Sequence, residues 1–167
     1  MSEMHNIPDF LAIAEQMKKD VRRYARVYCL QWFDDSFQKQ GFTDVAFTPW
    51  PKRNPDKSPG RAILIDTTFL RKSLDVIGEK ETQLEFGTHV PYAGLHNNGE
   101  RQRAIQNVRA YTNKNFMGKG KRVQIKAHTR KRDIQYPKRQ FIGESQQMMN
   151  NMDQWFFDNL LERFKNA

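Results

Sequence analysis

The chain has 167 residues, 28 Lys and Arg against 19 Asp and Glu, a net charge of +9 and one cysteine. That length is enough for a single domain, spanning 1–167, with a buried core. One cysteine excludes an internal disulfide and the paired-cysteine zinc frames, no apolar run approaches the roughly 20 residues that cross a bilayer, and Met1 to His5 has no signal-peptide form.

Hydrophobic residues make up only 38% of the chain, but twelve Phe, five Tyr and three Trp let a core be built from few positions. Pro8, after Asn6, stands where a first helical residue would be. Phe10, Ile13, Met17, Val21, Tyr24 and Tyr28 then recur at three- and four-residue steps, which predicts a helix of roughly 30 residues ending before Gly41. Cys29 falls in this pattern as a small buried residue. Residues 47–60 hold four prolines and read as an irregular surface segment, with Trp50 stapling it to the core. Ala62-Ile63-Leu64-Ile65 is a strand candidate, and Thr67 to Lys72 a helical turn. Leu74 and Val76, then Leu84 and Phe86, alternate with polar neighbours and predict a hairpin turning at Gly78-Glu79-Lys80-Glu81. Pro91 to Asn98 reads as a short helix, with Gly99 supplying a left-handed exit. At the end of the chain Met149, Met152, Phe156, Leu160, Leu161 and Phe164 form a helical stripe widened by Trp155 and Phe157. The expected fold class is therefore α+β, with a small, mostly antiparallel sheet packed by long N- and C-terminal helices.

The charge is not spread evenly. Residues 101–132 contain eleven bases (Arg101, Arg103, Arg109, Lys114, Lys119, Lys121, Arg122, Lys126, Arg130, Lys131 and Arg132) and no acid, so the remainder of the chain is slightly negative. Val123, Ile125 and Ala127 alternate with Arg122, Gln124, Lys126 and His128, predicting a strand with one apolar and one cationic face. Asn107 to Thr112 is its candidate antiparallel mate, and Gly118-Lys119-Gly120 a flexible tip. Residues 101–135 are thus expected to protrude as a basic β-arm whose partner is a polyanion or an acidic protein surface.

No catalytic set emerges. His96 and Glu100 lie four apart, but Gly99 ends the helix between them, and His96-Asn97-Asn98 lacks the further carboxylates or histidines a metal nuclease needs. No phosphate-cradling glycine loop follows a strand. The expectation is a protein without enzymatic activity, metal or cofactor. Tyr92 and His96 are read as structural, with their polar tips bonded to loop carbonyls, and Arg139 as an ion-pair partner.

Three stretches, in order, resemble the phage virion morphogenesis family. Ile65-Asp66-Thr67-Thr68-Phe69-Leu70-Arg71-Lys72-Ser73 is similar to its strand, short turn and Leu-x-x-Ser segment. Tyr92-Ala93-Gly94-Leu95-His96-Asn97-Asn98-Gly99 follows Pro91 and matches its Tyr-Ala-x-x-His-x-x-Gly core. Pro137-Lys138-Arg139-Gln140-Phe141-Ile142-Gly143 is similar to its Pro-Ala-Arg-Pro-Phe-Leu-Gly close. Thr68 stands where the family often has Gly, and Lys138 and Gln140 replace Ala and Pro. The resemblance implies a tail completion or head–tail joining subunit in the neck or tail of a virion, present in the host cytoplasm during assembly. It further implies a homo-oligomeric ring, a hexamer being one expected size, that contacts neighbouring neck or tail proteins and DNA in the channel, and no membrane. The alternative reading is a nonspecific nucleic-acid-binding module that uses the arm on phosphates.

Overall fold

The computed structural model describes residues 9–165. Helix α1 (Phe10–Lys39) opens on Asp9, whose Oδ1 accepts from the Ala12 amide at 3.0 Å. The proposed start at Asn6–Pro8 lies outside the described residues. The helix closes on Gln40 at φ 59, whose amide bonds the Ser36 carbonyl. Its buried stripe is Met17, Ala25, Cys29, Phe33, Ser36 and Phe37.

Strands β1 (Gly41–Thr43) and β2 (Phe47–Pro49) pair immediately afterwards, a hairpin absent from the sequence expectation, whose second strand takes up the start of the proline-rich stretch 47–60. Trp50 does staple the loop: it is buried, and its Nε1 donates to the Gln140 carbonyl at 2.7 Å. Residues 62–65 are not a strand. Leu64 lies at φ 57, and the Gln40 side chain meets both the Ile63 amide and its carbonyl, taking the place of a neighbouring strand. Ile63, Leu64 and Ile65 all pack on the core instead of alternating.

A short helix α2 (Phe69–Lys72) precedes the hairpin of β3 (Asp75–Lys80) and β4 (Gln83–Gly87). Its turn falls at Glu81–Thr82, later than expected, and Gly78 instead sits at a bulge opposite Glu85. Helix α3 (Ala93–Asn98) ends at Gly99, φ 71, as its sequence predicts. Four strands follow: β5 (Arg101–Val108), β6 (Tyr111–Phe116), β7 (Lys121–Ile125) and β8 (His128–Gln135). Residues 137–145 return to the core as irregular chain. Helix α4 (Gln146–Lys165) starts at Ser145, whose Oγ accepts from the Met148 amide, while Asp44 Oδ1 accepts from the Gln146 amide.

The fold is α+β: long terminal helices in contact, with four two-stranded antiparallel ladders among the described residues in place of one sheet. One core cluster gathers Phe37, Trp50, Leu70, Val90, Ala93 and Phe141, and a second gathers Cys29, Phe33, Phe42 and Met148. Leu74 and Ile142 pack against both. Phe37 is the pivot of the first, with ring centroids 5.5 Å from Trp50 and 5.1 Å from Phe141. The Asp34–Arg71 pair ties α1 to α2, and the hydrogen bonds from Arg71 hold the Asp34 carboxyl below its usual range.

Candidate functional site

The arm is one long hairpin. Arg101 pairs with Gln135 and Tyr111 with Ile125, so ten steps outward on one side match ten steps back on the other. The frame therefore runs unbroken from β5–β8 into β6–β7 and shifts only between Asn113 and Phe116. The mate of β7 is Tyr111–Phe116, whereas Asn107 and Val108 pair with Thr129 and His128, a correction to the expected pairing. No apolar period marks β5 because most of its residues are exposed. At about 3.3 Å per residue, the path from Arg101 to the turn at Met117 is on the order of 50 Å. Neither core cluster includes a residue from 101–135.

The two motif segments bracket the arm and lock together at its foot. The Arg139 amide donates to the His96 carbonyl at 2.7 Å, and the Tyr136 amide to the Glu100 carbonyl at 3.0 Å. Asn97 Oδ1 accepts from the amides of both Phe141 and Ile142. Gln135 Nε2 donates to the Gly99 carbonyl, and the rings of His96 and Tyr136 meet edge to face at 5.1 Å. Gly99 is required here twice over: its φ is positive, and a Cβ would lie 2.8 Å from the Lys138 backbone nitrogen. Pro91 and Pro137 are exposed at the two edges of this clamp, and Gly143, at φ 147, leads out of it toward α4.

Two expectations fail at the clamp. Among the described residues Arg139 makes no ion pair; it is 8% exposed, and its Nε and Nη2 both donate to the Pro51 carbonyl, at 3.0 and 2.9 Å. Among the described residues His96 does not bond a loop carbonyl through its ring: Nδ1 is buried without a partner, and Tyr92 is exposed beside it. Burial, and then the Arg139 guanidinium, hold His96 below the usual imidazole value.

Along the arm, Arg101 and Arg103 share Asp133, the acid that closes the basic stretch. Among the described residues the other nine cations (Arg109, Lys114, Lys119, Lys121, Arg122, Lys126, Arg130, Lys131 and Arg132) have no carboxylate partner; Arg130 bonds only the Gln106 amide oxygen. Val123 and Ile125 are half-buried against their ladder, while Met117 stands 79% exposed at the tip.

A second feature escaped the sequence reading. Between α1, α4 and the β3–β4 hairpin runs an apolar trough of about 1070 Å³, floored by Met17, Cys29, Phe33, Phe86, Met152 and Phe156. The helices that wall it are pinned by stacked Tyr24 and Trp155 rings 4.0 Å apart and by the Arg163–Asp20 pair. Its basic neighbours are occupied, Lys18 by Glu15 and Arg22 by Glu79. Its acidic neighbours Glu81, Glu85 and Glu144 have no cationic partner among the described residues. The signal was present in the helix stripes, which carry more apolar residues than one α1–α4 contact covers: Phe10, Met149, Phe157, Leu161 and Phe164 remain exposed.

Among the described residues no three His, Cys, Asp or Glu side chains are grouped to hold a metal, and no helix is long and apolar enough to cross a membrane. Comparison of the chain with protein-family models, with curated proteins and with solved structures returned no match.

Proposed function

We propose that this protein is a structural subunit of a phage virion, a tail completion or head–tail joining component that assembles into a ring by passing its arm to the next copy. The observation that carries the reading is the set of nine displayed cations without a carboxylate of their own. Such a field is costly to concentrate on one finger unless an acidic surface receives it. The receiving surface we assign is the trough of a neighbouring copy, whose apolar floor suits Met117 and whose unpaired Glu81, Glu85 and Glu144 suit the surrounding Lys and Arg. Arm and trough are different surfaces of one chain, so the contact is head to tail, and a head-to-tail contact whose rotation closes makes a ring.

Thr68 adds support for the resemblance. It stands where the family often has glycine, and its φ is 61, the region glycine favours. No step of this role requires catalysis.

Light scattering on the purified chain tests the proposal. A discrete ring in low salt, dissociating as salt rises and absent after residues 103–130 are replaced by a short Gly/Ser bridge, is the expected result. A chain that stays monomeric at every concentration overturns it. The second reading, nonspecific nucleic-acid binding, is favoured by one imbalance: nine unpaired cations face only three unpaired trough glutamates. A monomer that binds DNA with steep salt dependence is its signature.

A further inference from the structure

The cavity beside the clamp has about 300 Å³ and is not part of the arm or the trough. Arg53, Arg61, Arg139, His96, Asp66 and Tyr92 converge on it. Arg139 is the anomaly. A buried guanidinium is ordinarily matched by a carboxylate, because desolvating an unpaired charge is expensive. Here it has one backbone carbonyl, which uses two of its five N–H donors. Arg53 adds a like charge nearby, itself held by the Arg61 and Ala62 carbonyls at 2.6 and 2.7 Å. Asp56 approaches Arg53 only to 3.8 Å, from outside the cavity lining. Among the described residues Asp66 is the one carboxylate of the lining, and Arg61 engages it. Beside Arg139, the buried Nδ1 of His96 has no hydrogen-bond partner among the described residues, a second unsatisfied polar group at this edge of the clamp. Desolvation and then Arg53 depress the Arg139 pKa, as expected of a cation waiting for an anion.

We propose that this cavity binds a phosphate-class oxyanion. Three guanidiniums against Asp66 in the lining and Asp56 beside Arg53 leave one positive charge with His96 neutral, and a tetrahedral oxyanion cancels it while presenting more acceptor oxygens to the three forks than a single carboxylate does. Guanidinium forks suit tetrahedral oxyanions, and the His96 ring lines the same cavity. The volume exceeds what inorganic phosphate needs and sits at the lower end for small-molecule sites. Leu64, Ile65 and Leu70 wall the remaining space, so the better ligand is a phosphomonoester with an apolar or aromatic body. The proposal does not depend on the assembly reading.

Calorimetry on the full chain at fixed ionic strength tests it, with inorganic phosphate, phenyl phosphate, acetate and chloride as probes. The expected result is one saturable site for phosphate, tighter for phenyl phosphate and absent for acetate and chloride. Free phosphate binding as tightly as the ester identifies the inorganic ion as the ligand and overturns the phosphomonoester assignment. Arg61→Gln and Arg53→Gln, both nearer the surface than Arg139, should each weaken binding by about tenfold, the loss of one charge-assisted bond. Nitrogen NMR of the His96 ring, which lines the cavity, gives a readout that needs no substitution: its ring signals should move with one equivalent of ligand. Weak, multi-site binding unaffected by Arg53→Gln and Arg61→Gln, with His96 unmoved, places the anion on the arm and overturns the site.

Discussion

Phe141, at the foot of the arm, has no exposed surface, whereas Ile105, just inside the arm, is 73% exposed. Around Phe141, rings and amides are satisfied from three parts of the chain: Phe37, Trp50 and Asn97 all serve it directly or through a shared neighbour. Around Ile105 the structure offers one partner strand, at Lys131. A body of this kind holds its shape by burial, while an isolated two-stranded ladder is marginal in water. The difference teaches that burial fixes the body's shape, whereas the arm is held by its own ladder and by the clamp that sets where it begins.

The largest effects should fall on the body. Phe141→Ala removes a fully buried ring from the first core cluster and should cost about 3–5 kcal/mol in urea denaturation. Gly99→Ala should cost about 2 kcal/mol, from positive φ and collision with the Lys138 backbone. Because Gly99 sits where the arm departs, that variant should also raise amide exchange in β5 and β8 beyond the rise in the body. If exchange rises equally in both, the clamp does not separate the two regions.

His96 links the comparison to pH. Its folded pKa lies below the ordinary value near 6.5 because of burial and Arg139, with Arg53, Arg61, Asp66, Tyr92 and Tyr136 as the other ionisable groups on the shared cavity or ring contact. The unfolded chain therefore takes up a proton that the folded chain refuses. This contribution is complete above about pH 6.5 and is lost as pH falls from there toward the folded value, with a slope of at most about 1.4 kcal/mol per pH unit. In His96→Asn that part of the pH profile should flatten, and an unchanged profile would assign the loss to other groups.

What the sequence disclosed followed from local chemistry. The length of α1, the Gly99 exit and the tip at Gly118-Lys119-Gly120 are each written in a few adjacent residues, whereas of the six residues read as the α1 stripe only Met17 is buried. Ile63 to Ile65 misled because an apolar run fits a buried strand or a buried turn equally, and the deciding partner, Gln40, is 23 positions away. Arg139 misled for a related reason: a buried arginine suggests a carboxylate, but the group that meets it is a carbonyl 88 positions distant. The trough is a product of how α1, α4 and β4 are set side by side, which no single stripe records.

The smallest effect on stability should accompany the largest effect on assembly. Lys119→Glu, Lys121→Glu and Arg122→Glu alter exposed side chains that have no carboxylate partner, so stability should stay within about 0.5 kcal/mol. Self-association should nevertheless fail, because negative groups would now approach Glu81, Glu85 and Glu144. Reversing those three trough glutamates to Lys should also abolish self-association, by repelling the native arm. Mixing the two monomeric variants then separates charge matching from simple damage. The reversed arm faces a reversed trough in one orientation and the native arm a native trough in the other, so the mixture should alternate the two chains and restore the ring seen by light scattering. Failure of the mixture, with both variants folded and the native chain assembling normally, would place the arm on some surface other than the trough.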